Sequence, residues 1–129
     1  MYKLVLAAAT PRSLRSLVDI VNELALDTII CWRLKSIRLY GTGRPFGISV
    51  DDFEASTRAN DNGVLVGDDQ FQSFLRSGMQ VIDGELEGCA DATGVQSVVR
   101  LSCEDATQWE LFTDSEVIYK ASLRMGFRR

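Results

Sequence analysis

Three segments in the last third of the chain constrain the fold more than any other feature of the sequence. Met79 to Cys89, Val95 to Cys103 and Gln108 to Thr113 each predict a β-strand. Short polar turns separate them, so they predict an antiparallel meander. Thr113, with Glu116 three positions later, predicts a capping box that begins a closing helix.

The first part of the chain predicts a strand, a helix and a second, longer strand. Tyr2 to Ala8 is a short apolar run, and Thr10 to about Leu26 combines a helix start with apolar residues at three- and four-residue steps. Thr28 to Tyr40 is rich in β-branched and aromatic residues, as strands are. Its alternation changes phase near Lys35 and Ser36, where we expect a bulge or a break.

The middle of the chain is less regular. Residues 41–47 (GTGRPFG) predict a loop, and residues 48–57 fit neither the helical nor the strand period. Asn62 and Gly63 predict a turn before a short strand, and a short helix then ends at Gly78. The whole pattern predicts one α+β domain over residues 1–129, with a mainly antiparallel sheet of about five to six strands and two main helices packed on one face.

Residue content excludes several kinds of chemistry. The chain contains no histidine, which excludes Ser-His-Asp and Cys-His pairs and zinc sites with histidine ligands. No cofactor-binding motif is present, so we expect no cofactor. Cys31, Cys89 and Cys103 lack the spacing of a metal or redox motif, and they predict buried, reduced thiols in a cytoplasmic protein.

Charge is unevenly distributed along the chain. Residues 1–45 carry seven Lys/Arg against three Asp/Glu, residues 46–116 carry three against fifteen, and residues 117–129 carry four and none. The acidic middle either neutralises the basic ends within the fold or leaves an acidic face that attracts a basic partner and repels nucleic acid. The apolar run at the start has only about eight residues, too few to span a membrane.

Three carboxylates occupy alternate positions in the segment QVIDGELEGC, namely Asp83, Glu85 and Glu87. Alternate side chains of a strand project from one face of the sheet, so these three predict an acidic stripe. The stripe can bind a basic protein surface or ligate Mg²⁺ or Ca²⁺. Alternatively, it is a solvated face on which Arg100 of the following strand relieves the repulsion.

A second acidic group, Asp51, Asp52 and Glu54, lies in or beside a loop, where functional residues often concentrate. These three residues and the acidic stripe are the candidate partner-binding residues. We identify no candidate catalytic or metal-binding residue.

The segment from Met79 to Phe127 resembles small acidic bacterial proteins of two kinds, immunity-type proteins and proteins of uncharacterised function. The resemblance rests on VIDGELEG, on SCEDATQWELFTD and on the amphipathic helix that follows them. It implies a non-enzymatic inhibitor that binds the basic face of a toxin through acidic residues. No binding residue of those proteins maps onto a position of this chain.

The function that these features favour is a non-catalytic protein-binding module with a basic protein partner, of which an immunity-type inhibitor of a toxin is one form. Two alternatives stay open. One is a small metal-assisted hydrolase that uses a carboxylate cluster. The other is a small-ligand-binding or structural domain that forms homo-oligomers through an open sheet face, which predicts an exposed apolar patch.

Overall fold

The computed structural model describes residues 1–7, 17–24, 26–104 and 108–129, and its centre is a six-stranded antiparallel sheet. In chain order the strands are β1 (Tyr2–Ala7), β2 (Cys31–Tyr40), β3 (Val64–Gly67), β4 (Gln80–Cys89), β5 (Ser97–Glu104) and β6 (Gln108–Thr113). Across the sheet the order is β1-β6-β5-β4-β2-β3. The α+β class, the antiparallel sheet and the meander of the last third are therefore confirmed.

The described residues contain four α-helices, where the sequence predicted two main ones. They are α1 (Leu17–Glu23), α2 (Val50–Arg58), α3 (Asp68–Leu75) and α4 (Glu116–Met125), with a short 3₁₀ turn at Pro45–Gly47. Residues 48–57, which fit neither period, contain most of α2, and Ser49 caps this helix by accepting the Asp52 amide at 3.1 Å. The predicted start of the first helix at Thr10 lies outside the described residues.

The cap of α4 differs from the prediction by two positions. Ser115, and not Thr113, is the N-cap, and its hydroxyl accepts the Ile118 amide at 3.3 Å. Thr113 is buried, and its own hydroxyl donates to the Val98 carbonyl at 2.8 Å. The predicted capping box from Thr113 to Glu116 is therefore wrong, although the helix itself is present.

A row of five leucines crosses the sheet at the centre of its buried face. The strand register aligns Leu4, Leu111, Leu101, Leu86 and Leu34 from β1 to β2, and none is more than 1% exposed. Burying a leucine side chain is worth about 1.5–3 kcal/mol, so this row is a major source of stability. Buried side chains from all four helices join the same core, among them Ile20, Phe53, Phe71 and Ile118.

The long strand β2 is interrupted where the sequence predicted a change of phase. Ser36 has a positive φ of 51°, and the register of β2 against β4 shifts between Lys35 and Arg38. Opposite this shift lies Gly84, with a φ of 139°. A second shift follows between Arg38 and Leu39. The predicted bulge is thus confirmed, and the sheet is distorted at this point.

Side chains of α2 complete the hydrogen bonding of β2 beyond this distortion. β3 pairs only with the first four residues of β2, Cys31 to Leu34. Further along, the Ile37 amide donates to Thr57 Oγ1 at 3.0 Å and the Leu39 amide donates to Glu54 Oε2 at 2.7 Å. An unpaired strand edge is costly when buried, and α2 covers this one.

We predict that alanine at Gly84 destabilises the fold more than alanine at Gly47. Both glycines have a positive φ, which costs about 1–3 kcal/mol for a residue with a side chain. A Cβ at Gly84 would also lie 2.6 Å from Ile37 Cδ1, whereas nothing lies within 4 Å at Gly47. Overpacking adds about 1–3 kcal/mol at Gly84 alone. Urea denaturation measures both losses, and equal losses would show that crowding is unimportant.

Candidate functional site

The face of the sheet opposite the leucine row carries charged side chains, and we call it the polar face. The three carboxylates of the predicted acidic stripe lie on this face, because they alternate in β4 with the buried Leu86 and with Gly84. The register places a basic residue of β2 opposite each of them: Asp83 faces Arg38, Glu85 faces Lys35 and Glu87 faces Arg33. The acidic stripe on β4 therefore lies beside a row of basic residues on the neighbouring strand β2.

Two of the three carboxylates form ion pairs. Arg33 Nε lies 3.7 Å from Glu87 Oε1, with only 16% and 20% of the two side chains exposed. Arg100 Nε lies 3.4 Å from Glu85 Oε1, in a more exposed position. The contact between Arg100 and Glu85 agrees with the alternative in which the stripe is a solvated face and Arg100 relieves its repulsion. Counter-charges thus accompany Glu85 and Glu87.

Arg33 also joins two turns at one end of the polar face. Its guanidinium donates to the Asn62 carbonyl at 2.8 Å and to the Gly94 carbonyl at 3.2 Å. These carbonyls belong to the turns that precede β3 and β5. Arg33 is therefore a structural residue, and its pairing with Glu87 makes that carboxylate part of the same arrangement.

A cavity of about 360 Å³ opens on the polar face beside the distorted part of the sheet. It lies where Ser36 and Gly84 leave little side-chain bulk between neighbouring strands. Of the nine described residues that line it, four are carboxylates, and none of these nine is Lys or Arg or belongs to a helix. The acidic lining residues are Asp83, Glu85, Glu104 and Glu110, with Ser102 and Gln108 among the polar ones.

The chemistry of this cavity suits a cation. Carboxylate oxygens accept charge-assisted hydrogen bonds from ammonium and guanidinium groups, and such bonds are about twice as strong as neutral ones. Serine and glutamine side chains supply further acceptors. The lining therefore offers acceptors to a positively charged group, beyond the contacts of Glu85 with Arg100 and of Glu110 with Lys3.

An aromatic side chain with two cations lies beside the cavity. Arg100 and Lys3 lie over the Phe112 ring, at 4.4 Å and 5.6 Å from its centroid. Lys3 Nζ is also 3.9 Å from Glu110 Oε2, which lines the cavity. The polar face thus carries positive charge at the β1 side and a carboxylate-lined hollow at its centre.

The second acidic group lies on α2, away from the lining of the cavity. Asp51 and Asp52 are exposed in the first turn of this helix, where negative charge complements the helix dipole. Glu54 is partly buried and accepts the Leu39 amide at the edge of β2. The structure therefore separates these three residues from the cavity and gives Glu54 a structural role.

The sequence reasoning missed Glu104 and Glu110 as lining residues. Glu110 lies between the buried Trp109 and Leu111 in β6, and this alternation was a usable signal that it faces the same side as the stripe. The position of the basic residues of β2 on the polar face was harder to predict, because the alternation of this strand changes phase between Lys35 and Arg38.

The described residues contain neither a metal-ligand cluster nor a membrane-spanning helix. Within the described ranges, no group of three His, Cys, Asp or Glu residues is arranged to hold a metal ion. No helix in this part of the chain has the length and apolar character needed to cross a membrane. Comparisons with known proteins found no matching family model, no similar curated protein and no similar solved structure.

We predict that Glu54 contributes to stability through its hydrogen bond to the Leu39 amide. Glu54→Ala leaves that amide without its acceptor and should lower the free energy of unfolding by about 1–3 kcal/mol. Glu54→Gln keeps an acceptor oxygen and should retain most of the stability. Asp51→Asn, at an exposed position of the same helix, is the control and should cost less than about 1 kcal/mol. Equal losses for Glu54→Ala and Asp51→Asn would contradict this role.

Proposed function

We propose that the chain is a non-catalytic protein-binding module whose polar face docks on a basic partner. The carboxylate-lined cavity is the centre of this surface and accepts a lysine or arginine side chain. The single observation that carries the proposal is the convergence of Asp83, Glu85, Glu104 and Glu110 around one hollow. Like charges gathered in a concave site favour a cation over any neutral or anionic group.

The proposal takes the main helices to pack on the apolar face of the sheet. The polar face then stays available for a partner, with none of the four described helices between it and solvent. Ion pairs at its rim fix the orientation of a docked protein more than they add affinity, since charges at a rim act mainly through steering. A partner whose charges do not complement those of Arg33, Arg100 and Lys3 would thereby be excluded.

Among the candidate partner-binding residues, Asp83 and Glu85 have the strongest support because both line the cavity. Glu87 lies on the same face but pairs with Arg33, so we assign it to the rim. Asp51 and Asp52 form a second, smaller acidic surface on α2. Glu54 contributes there only indirectly, because its carboxylate already accepts a backbone amide.

The resemblance to immunity-type proteins extends the proposal to a class of partner. A toxin that binds nucleic acid has a basic face, and a carboxylate-lined cavity complements such a face. We take the chain to act in the cytoplasm, because its three cysteines are buried free thiols and thiols stay reduced there. The structural support for a toxin as the partner is the cavity alone.

The two alternatives have less support. A metal-assisted hydrolase needs a ligand cluster, and the carboxylates around the cavity form no such group among the described residues. A small cationic ligand would use the same cavity as a protein side chain, and a titration distinguishes the two. Oligomerisation through an open sheet face is disfavoured by the charged side chains that cover this one.

The proposal predicts binding of a lysine- and arginine-rich peptide at the polar face. We expect the peptide to shift backbone amide resonances of β4, β5 and β6 around the cavity in a two-dimensional NMR titration at low salt. The double variant Asp83→Asn/Glu85→Gln should weaken binding about tenfold or more, since it removes two of the four carboxylates. Salt at about 0.5 M, which shortens the screening length to below about 5 Å, should weaken it further.

The matched control is Asp51→Asn/Asp52→Asn, which removes the same charge from α2. It should bind the peptide nearly as tightly as the unmodified chain. Equal weakening by both variants would mean that net charge and not the cavity governs binding, and the proposal would fail. Free lysine or arginine binding as tightly as the peptide would favour the small-ligand alternative.

A further inference from the structure

Two cysteines face each other across neighbouring strands. The register of β2 against β4 pairs Cys31 directly with Cys89. Both thiols are free, and the two residues are 4% and 0% exposed. The third cysteine, Cys103, faces Gly84 on one side and Trp109 on the other, so it has no cysteine opposite it.

The backbone pairing of these two residues is compatible with a disulfide. Directly opposed residues of antiparallel strands have Cα atoms about 4.5–5.5 Å apart and project their side chains to the same face. Disulfides span Cα distances of about 4.4–6.8 Å. The backbone therefore already places Cys31 and Cys89 at bonding range, without any rearrangement of the sheet.

The two thiols differ in their surroundings. The Cys31 thiol donates to the Asp91 carbonyl, with the sulfur 2.9 Å from the oxygen. Burial, together with the charges of Cys31 and Glu87, raises the pKa of Cys89 to about 11, against the opposing effect of Arg33. Because the thiolate is the reactive form, oxidation is slow at neutral pH and becomes faster as the pH rises.

We infer that Cys31 and Cys89 form a cross-strand disulfide when the chain meets a peroxide. One sulfur, as its thiolate, attacks the peroxide O–O bond and becomes a sulfenic acid, releasing hydroxide. The second sulfur then attacks the sulfenic sulfur, the S–S bond forms and a second hydroxide leaves. The two thiol protons convert these hydroxides to water, so two electrons have passed from the thiols to the peroxide.

The disulfide joins β2 to β4 at the end of the polar face where Arg33 holds two turns. It replaces the hydrogen bond from Cys31 to the Asp91 carbonyl, which is one contact between β2 and the turn before β5. The Asp91 carboxylate still accepts the Val95 and Gln96 amides, at 3.2 Å and 2.7 Å, so the turn keeps its shape. Oxidation should therefore stabilise the native sheet, independently of the proposed binding function.

The experiment compares the full chain with Cys103→Ser, Cys31→Ser and Cys89→Ser. Each reduced protein is treated with hydrogen peroxide at mildly alkaline pH, the remaining thiols are alkylated, and peptides are mapped by mass spectrometry. The unmodified chain and Cys103→Ser should each lose two hydrogen masses and yield a linked Cys31–Cys89 peptide. Oxidised Cys103→Ser should melt more than about 5 °C above its reduced form.

Cys31→Ser and Cys89→Ser should form no intramolecular disulfide and gain no stability on oxidation. If a serine variant fails to fold, mapping of the unmodified chain and of Cys103→Ser still decides the outcome. A disulfide that includes Cys103, a disulfide between two chains, or intact Cys31 and Cys89 thiols after prolonged oxidation would overturn the inference.

Discussion

The antiparallel pairing of β2 with β4 is the interaction on which the rest of the structure depends. These strands are about 50 residues apart in the chain, and their register sets both faces of the sheet at once. On the buried face it aligns Leu34 with Leu86 and seats the Trp32 ring over Gly88, where a Cβ would lie 3.3 Å from a ring carbon. On the polar face it sets a base opposite each carboxylate of the acidic stripe.

The interruption of this pairing connects the fold to the candidate site. Where β2 bulges at Ser36, opposite Gly84, the sheet lacks side-chain bulk and the carboxylate-lined cavity opens. The same distortion lies beyond the end of β3, so Thr57 and Glu54 of α2 accept the amides that a neighbouring strand would otherwise bond. One local irregularity thus creates a carboxylate-lined hollow on one face and requires a helix at the adjacent edge.

Local patterns predicted much of the fold. The three strands of the meander and the phase change near Lys35 followed from short-range periodicity, and the structure confirms them. The segment that became α2 gave no clear signal because it buries only Phe53 and Thr57. A single fully buried apolar residue, Phe53, is too few to define a helical period.

The candidate site was less predictable, for a physical reason. The acidic stripe was visible in the sequence, but its neutralisation depends on Arg33 and Lys35 of a distant strand, whose register no local pattern reveals. The role of Glu54 was hidden from the sequence for a similar reason. Its carboxylate accepts the Leu39 amide only because β3 is too short to pair with that part of β2. Glu104 and Glu110 became neighbours of Asp83 only through the order of the strands.

Cross-strand NOEs between β2 and β4 would report directly on the register in which these two strands pair. The account predicts contacts between Arg33 and Glu87 and between Lys35 and Glu85, then a one-residue shift to Arg38 and Asp83, and a return of register at Leu39 and Val81. This pattern would establish both the base-to-acid alignment and the distortion that opens the cavity. A constant register through residues 31–40, or the absence of β2–β4 contacts, would contradict the account.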